Sequence, residues 1–178
     1  IRREAPPPDA KQVRTIFTQV LAGVGFAHAH GVIHRDLKPA NLFITKSPTT
    51  NQYLAKILDF GISKVFDTGH NFSLTRTGTV VGSPAYMSPE QAAGREDIDG
   101  RADIWSLGVV MYEALTGTLP HQAANYNALM VRILTQDCDP VQTRKPDLPP
   151  SVCAIVDACL KRERDERTSS AGILAKQM

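Results

Sequence analysis

The longest regular pattern in this 178-residue chain lies near its start. From Lys11 to His30, apolar residues recur at Val13, Ile16, Phe17, Val20, Leu21, Val24 and Phe26. Intervals of three and four predict an amphipathic helix with one buried face, and Gly31 suits its end. The preceding "REAPPPDA" carries a proline run that a helix cannot hold, so residues 1–9 read as a turn or linker, with Asp9 as a cap for the helix. After the helix come two short apolar pieces, "NLFI" and "LAKIL", separated by the turn-forming "TKSPTTNQ". They predict a small hairpin. Residues 61–90 have no clear period and are rich in Gly, Ser and Thr. An irregular segment of that length in a compact domain is usually functional or disordered.

From Asp103 to Leu115 the residues are nearly all apolar. The run is too long for a typical strand and predicts a helix buried on most sides. "TGTLP" forms a turn, a helix covers Asn125 to Leu134, and "DPVQTRKPDLPP" reads as a proline-rich loop. Ser151 caps a helix running through Leu160, and the charged "RERDERTSS" leads into a last helix. No internal repeat is present. The pattern is that of a mainly helical domain with minor β structure.

Composition narrows the classes. A hydrophobic fraction of 42% supports one sizeable core. Charged residues make up 21% and the formal net charge is +2, too balanced for a nucleic-acid binder or a membrane-surface protein. No apolar run approaches the roughly 18 residues of a spanning helix. The longest, Ile104 to Leu115, contains Glu113. Cys138, Cys153 and Cys159 are odd in number and lack metal-ligand spacing, which predicts a reducing, cytoplasmic compartment. Cys153 and Cys159 read as small apolar residues of a helix. The chain starts with isoleucine, and nothing there resembles a signal peptide, so it reads as part of something longer.

The chemistry is concentrated at the two ends of the expected hairpin. "VIHRDLKPANLFI" (Val32 to Ile44) places Lys38 two residues and Asn41 five residues after Asp36, and "KILDFGISK" places Asp59 just past the second strand. A phosphoryl-transfer site must orient a hydroxyl, neutralise the moving phosphoryl group and hold a divalent metal. Carboxylate, ammonium and amide oxygen suit those tasks. Asn41 and Asp59 flank the hairpin and offer the hard oxygen ligands that Mg²⁺ prefers. Each residue alone reads as a surface charge on a loop; the spacing of the group carries the inference. Elsewhere the bland readings prevail. His28 and His30 stand two apart and do not share a helix face, so they are not read as metal ligands. "KRERDER" (Lys161 to Arg167) reads as a solvated surface stretch.

"HRDLKPAN" and "DFG" resemble the catalytic and metal-binding loops of eukaryotic-type protein kinases, in the style of bacterial members. The resemblance implies a kinase-like C-terminal lobe over residues 10–178, with a catalytic loop at 34–41, a metal loop at 59–61 and an activation segment at 59–90. It implies that Asp36 receives or orients the substrate hydroxyl and that Lys38, the family's mark of serine/threonine specificity, contacts the transferring phosphate. Asn41 and Asp59 would hold Mg²⁺, or Mn²⁺ in its place, on ATP. "GSPAYMSPE" resembles the end of an activation segment, with Ser88-Pro89-Glu90 in place of Ala-Pro-Glu and Ser83 where a supporting threonine usually stands. An arginine fork suits a phosphate, and Arg35 would pair with a phosphorylated activation-segment residue. Thr79, eleven residues before Glu90, is the first candidate, with Thr77 and Thr75 behind it. His34 would support Phe60, beside Gly61; Asp103 would hold the catalytic-loop backbone; Arg167 would pair with Glu90. Asp36 and Asp59 lie 23 residues apart, longer than usual in the family, and the excess fits the hairpin turn.

The resemblance reaches only the C-terminal lobe. No glycine-rich loop, no "V-A-I-K" lysine and no partner glutamate occur in the chain. The expected function is therefore ATP-dependent transfer to serine and threonine hydroxyls of proteins by a longer parent, with this piece inactive alone and a kinase N-lobe as its missing partner. A non-catalytic interaction module from a truncated kinase or pseudokinase is the alternative. A small-molecule kinase of the aminoglycoside phosphotransferase type would not need "GSPAYMSPE".

Overall fold

The computed structural model describes residues 10–50, 52–60 and 84–178. The expected linker with Asp9, and Gly61, Thr75, Thr77, Thr79 and Ser83, lie outside these residues. Seven helices and one two-stranded sheet make up the regular structure among the described residues, apart from short 3-10 turns. Helix α1 spans Ala10–Ala29, and α2 is a short turn of helix at Pro89–Ala92. Helix α3 spans Arg101–Thr116 and α4 spans Tyr126–Thr135. Three more follow: α5 at Val141–Arg144, α6 at Pro150–Cys159 and α7 at Ala171–Gln177. Strands β1 (Leu42–Lys46) and β2 (Tyr53–Ile57) pair antiparallel, with Leu42 opposite Ile57 and Lys46 opposite Tyr53.

Helix α3 is the axis of the core. Every residue from Ala102 to Tyr112 is buried, which explains why the sequence shows a continuous apolar run there and no stripe. Helix α1 lies against it through Phe17, Val20, Leu21 and Val24, while α6 and α7 supply Cys153, Val156, Cys159 and Leu174. At the end of α1, Gly31 takes φ +73°. The amide of Gly31 donates to His28 O and that of Val32 to Ala27 O, a paired closure that turns the chain sharply into the next loop. Gln19 joins α1 to the hairpin: its Nε2 donates to Tyr53 O, and its Oε1 accepts from Ala55 N–H.

Several expectations need correction. Phe26 is not on the buried face of α1; it is 70% exposed, and Ala27 takes the buried place. The 3.6 period explains this: position 27 follows Val20 and Val24 by seven and three residues, whereas position 26 points away. The proline-rich loop contains α5, because Val141 is fully buried and its amide is held by Asp157 Oδ1. Ser151 does not cap α6. The helix begins at Pro150, with Pro149 at the capping position and no side-chain cap; a proline fits the first turn because its missing N–H had no helical partner. The charged stretch before α7 is not simply solvated. Arg164 donates to Asp97 through both terminal nitrogens, Arg101 reaches the carbonyl of Arg164, and Arg167 is buried.

Candidate active site

The loop from His34 to Asn41 runs beneath the first turn of α3. The amides of His34 and Arg35 donate to the two carboxylate oxygens of Asp103, both at 2.8 Å. His28 Nε2 adds a third contact, to Oδ2 at 2.8 Å. Asp103 is fully buried, and a buried carboxylate is tolerable only with such donors. Arg35 takes φ +65° and Asp59 takes φ +53°. Both lie in the left-handed region, which costs a side-chain-bearing residue roughly 1–2 kcal/mol and persists only where neighbours enforce it. The buried His34 ring ties the two ends of the hairpin together. Its Nε2 donates to Leu58 O at 2.9 Å, its Nδ1 accepts from Asp36 N–H at 3.3 Å, and its face meets Phe60 with centroids 4.8 Å apart.

Asp36, Lys38 and Asn41 form one hydrogen-bonded group. Lys38 Nζ donates to Asp36 Oδ2 at 2.8 Å. Asn41 Nδ2 donates to the Asp36 carbonyl at 2.8 Å and, more weakly, to Oδ2 at 3.3 Å. One carboxylate oxygen of Asp36 therefore carries the internal contacts, and Oδ1 has no protein partner among the described residues. The amide oxygen of Asn41 is likewise unengaged among them. Asp59 is exposed, and its carboxylate bonds to no described residue; it joins the group through the backbone, where Leu58 N–H donates to Asn41 O at 2.8 Å. The two ends of the hairpin thus present a carboxylate oxygen, an ammonium and an amide oxygen on one loop and a second carboxylate on the other. The last two are hard-oxygen donors of the kind that Mg²⁺ prefers. The guanidinium of Arg35 pairs with no acidic side chain among the described residues.

A second group holds the segment from Pro84 to Ala92. Glu90 and Arg167 form a buried two-pronged pair at 2.8 and 3.1 Å. Burial pushes the Glu90 carboxyl up, but the hydrogen bonds and charge of Arg167 outweigh it and hold the group below its ordinary value. Tyr86 donates its hydroxyl to Glu113 Oε2 at 2.6 Å, and Ser106 Oγ donates to Tyr86 O. Burial raises the Tyr86 hydroxyl first, and the Glu113 carboxylate raises it further.

Sequence reasoning missed the parts played by His28, Gln19, Tyr86 and Gln91. Their partners lie 27 to 75 positions away in the chain, and no local pattern encodes such contacts. Gln91 had one readable signal. Ser88 and Gln91 have the S-x-x-Q spacing of a capping box, and the reciprocal bonds are present.

A family model described as the protein kinase domain matches residues 2–178. The chain is 39% identical over 175 residues to serine/threonine-protein kinase pkn3 of Myxococcus xanthus, covering 96% of this chain and 31% of that protein. It is 39% identical over 157 residues to serine/threonine-protein kinase PknB of Mycolicibacterium smegmatis, covering 88% of this chain and 24% of that one. With serine/threonine-protein kinase Pkn1 of Myxococcus xanthus it shares 41% over 155 residues, 87% of this chain and 21% of the relative. The chain thus spans less than a third of each of these relatives.

Proposed function

The chain belongs to the protein kinase family, and from that premise we propose that it is the large helical lobe of a kinase that transfers phosphate from ATP to serine and threonine hydroxyls of proteins. The observation that carries the reading is the Asp36 group. Lys38 and Asn41 draw on Oδ2 and the backbone carbonyl, which fixes the side chain and leaves Oδ1 to accept a hydrogen bond from an incoming hydroxyl. Asp36 orients that hydroxyl and receives its proton as the oxygen attacks. Lys38 stands beside Asp36 with a positive charge for the moving phosphoryl group. Asn41 and Asp59 would hold Mg²⁺, whose chemistry there is to neutralise phosphate charge.

The names of the relatives support the serine/threonine assignment and a bacterial type of kinase. Arg35, with its guanidinium unpaired among the described residues, is proposed to receive phosphate on Thr79, with Thr77 second, and Ser83 to support Asp36 and Lys38. We assign the nucleotide's other wall to a separate lobe of a longer protein, so that the 178 residues alone transfer no phosphate. Exposed Phe43 and Leu58 beside Asn41 and Asp59 give that wall an apolar surface to face. No helix among the described residues is long and apolar enough to cross a membrane; a cytoplasmic site of action is part of the proposal.

The test is Asp36→Asn in the complete protein, with turnover and nucleotide affinity measured together. Turnover should fall by roughly 10²–10⁴, the usual contribution of a positioned acid–base group, while nucleotide affinity holds. Turnover within about threefold of the unmutated protein contradicts the assignment of Asp36.

A further inference from the structure

Gln91 does more than its place in the capping box requires. Its Oε1 accepts from the amide of Ser88 at 3.1 Å and from the Ser88 hydroxyl at 3.2 Å, which completes the start of α2. Its Nε2 is surplus to that task. It donates at 2.8 Å to the carbonyl of Arg35, a residue 56 positions away.

That carbonyl belongs to the peptide unit joining Arg35 to Asp36. A peptide unit is planar, so holding its oxygen fixes the direction of the following amide and the Cα from which the Asp36 side chain springs. Among the described residues, the opposite edge of the same unit is held only by the long 3.3 Å bond from Asp36 N–H to His34 Nδ1. Arg35 has φ +65°, a conformation that its surroundings must enforce. Among the described residues, two side chains from outside the loop hold its backbone: Asp103 takes the N–H at 2.8 Å and Gln91 takes the C=O at 2.8 Å. The first is anchored in the central helix. The second is anchored in α2, whose own position is set by the buried Glu90–Arg167 pair.

We propose that Gln91 is a positioning residue for Asp36, fixing the Arg35–Asp36 peptide plane and thereby tying the orientation of the catalytic carboxylate to the seating of α2. The inference rests on the phosphotransferase reading of the site. It assigns Gln91 no contact with substrate or nucleotide.

Two substitutions separate this role from capping. Gln91→Glu keeps an oxygen for the Ser88 amide and completes a capping box equally well, but it has no donor for the Arg35 carbonyl. Ser88→Ala removes the cap hydroxyl while leaving the Ser88-position amide to hold Gln91 and leaving Nε2 on Arg35. Gln91→Met, similar in volume and without any donor, serves as a second test of the lost bond. The experiment measures kcat, KM for ATP and for protein substrate, and thermal stability of each variant in the complete protein, alongside Asp36→Asn.

Gln91→Glu and Gln91→Met should lower kcat by roughly tenfold to a hundredfold, since small misplacements of a catalytic group cost up to about 10², with both KM values changed by less than about threefold. Ser88→Ala should lower the melting temperature and leave kcat within about twofold of the unmutated protein. A kcat within about threefold of the unmutated protein in either Gln91 variant overturns the inference, as does a fall in kcat in Ser88→Ala matching that of Gln91→Glu. An inactive unmutated protein, or full turnover in Asp36→Asn, instead overturns the phosphotransferase reading on which the inference stands.

Discussion

Arg167 satisfies all five of its guanidinium donors inside the protein. Nε donates to Lys161 O, Nη1 to Glu90 Oε1 and Arg101 O, and Nη2 to Glu90 Oε2 and Arg162 O. The Trp105 ring lies 5.2 Å from its central carbon, and His121 stacks on that ring while contacting Cys138 at 3.3 Å. These buried groups give stability a pH dependence of definite sign. Glu90 titrates below its ordinary value when folded, so its contribution is complete above the unfolded-state value and is lost as pH falls through the folded one. Burial also lowers His121, with the charge of Arg132 adding to the effect; the unfolded chain then takes up a proton first, and stability falls as pH drops below the ordinary histidine range. Urea unfolding from pH 7 to pH 4 should show declining stability in both ranges. Glu90→Gln should flatten the carboxylate part while lowering stability at neutral pH by about 3–5 kcal/mol, because Arg167 is left buried without its counter-charge. An unchanged acid profile in Glu90→Gln would refute the assignment. At this scale the sequence spoke clearly where residues cluster, as in Asp36, Lys38 and Asn41. It was silent where one polar side chain crosses the molecule, as His28 does to Asp103.

Elements were legible to the extent that their burial follows a period. Helix α1 shows its stripe because one face meets the core, and only Phe26, off that stripe, misleads. Helix α3 has no stripe because it is enclosed on all sides, and its length alone betrays it. Helix α5 has four residues between prolines, too few for any period, and forms because Val141 has a place in the core. The contact of α3 with α6 depends on an absent side chain. A Cβ placed on Gly108 would stand 2.7 Å from Cys159 Cβ and 3.0 Å from Leu160 Cδ2. Two effects oppose each other in Gly108→Ala. Helix propensity would favour alanine by about 1 kcal/mol, whereas forcing α3 and α6 apart costs typically 1–3 kcal/mol. The first contact is with a carbon bonded directly to the α6 backbone, which cannot yield by rotation, so the net effect should be a lower melting temperature. A rise in melting temperature would show that the helices are not in such close contact.

Across the whole molecule, α3 works as the common support. Near its start Asp103 holds the loop of Asp36, in its middle Ser106 holds Tyr86 O, and near its end Glu113 holds the Tyr86 hydroxyl. A site built on loops is thereby referred to one buried rod, which is the arrangement that positioning and preorganised charge require. Phe43 and Leu58, close in the chain to Asn41 and Asp59, keep their apolar side chains exposed, and in the proposal a second lobe covers them. The kinase family is legible in the two loops, whose residues stand close together in the chain, whereas the couplings through Gln91 and Gln19 arise only from the tertiary fold. The most direct measurement supplies the complete protein with ATP labelled on its terminal phosphate and a basic protein acceptor, then hydrolyses the acceptor and identifies the labelled amino acid. The account predicts label on phosphoserine and phosphothreonine, reduced at least about a hundredfold by Asp36→Asn; label on neither amino acid, or label undiminished by Asp36→Asn, would contradict it.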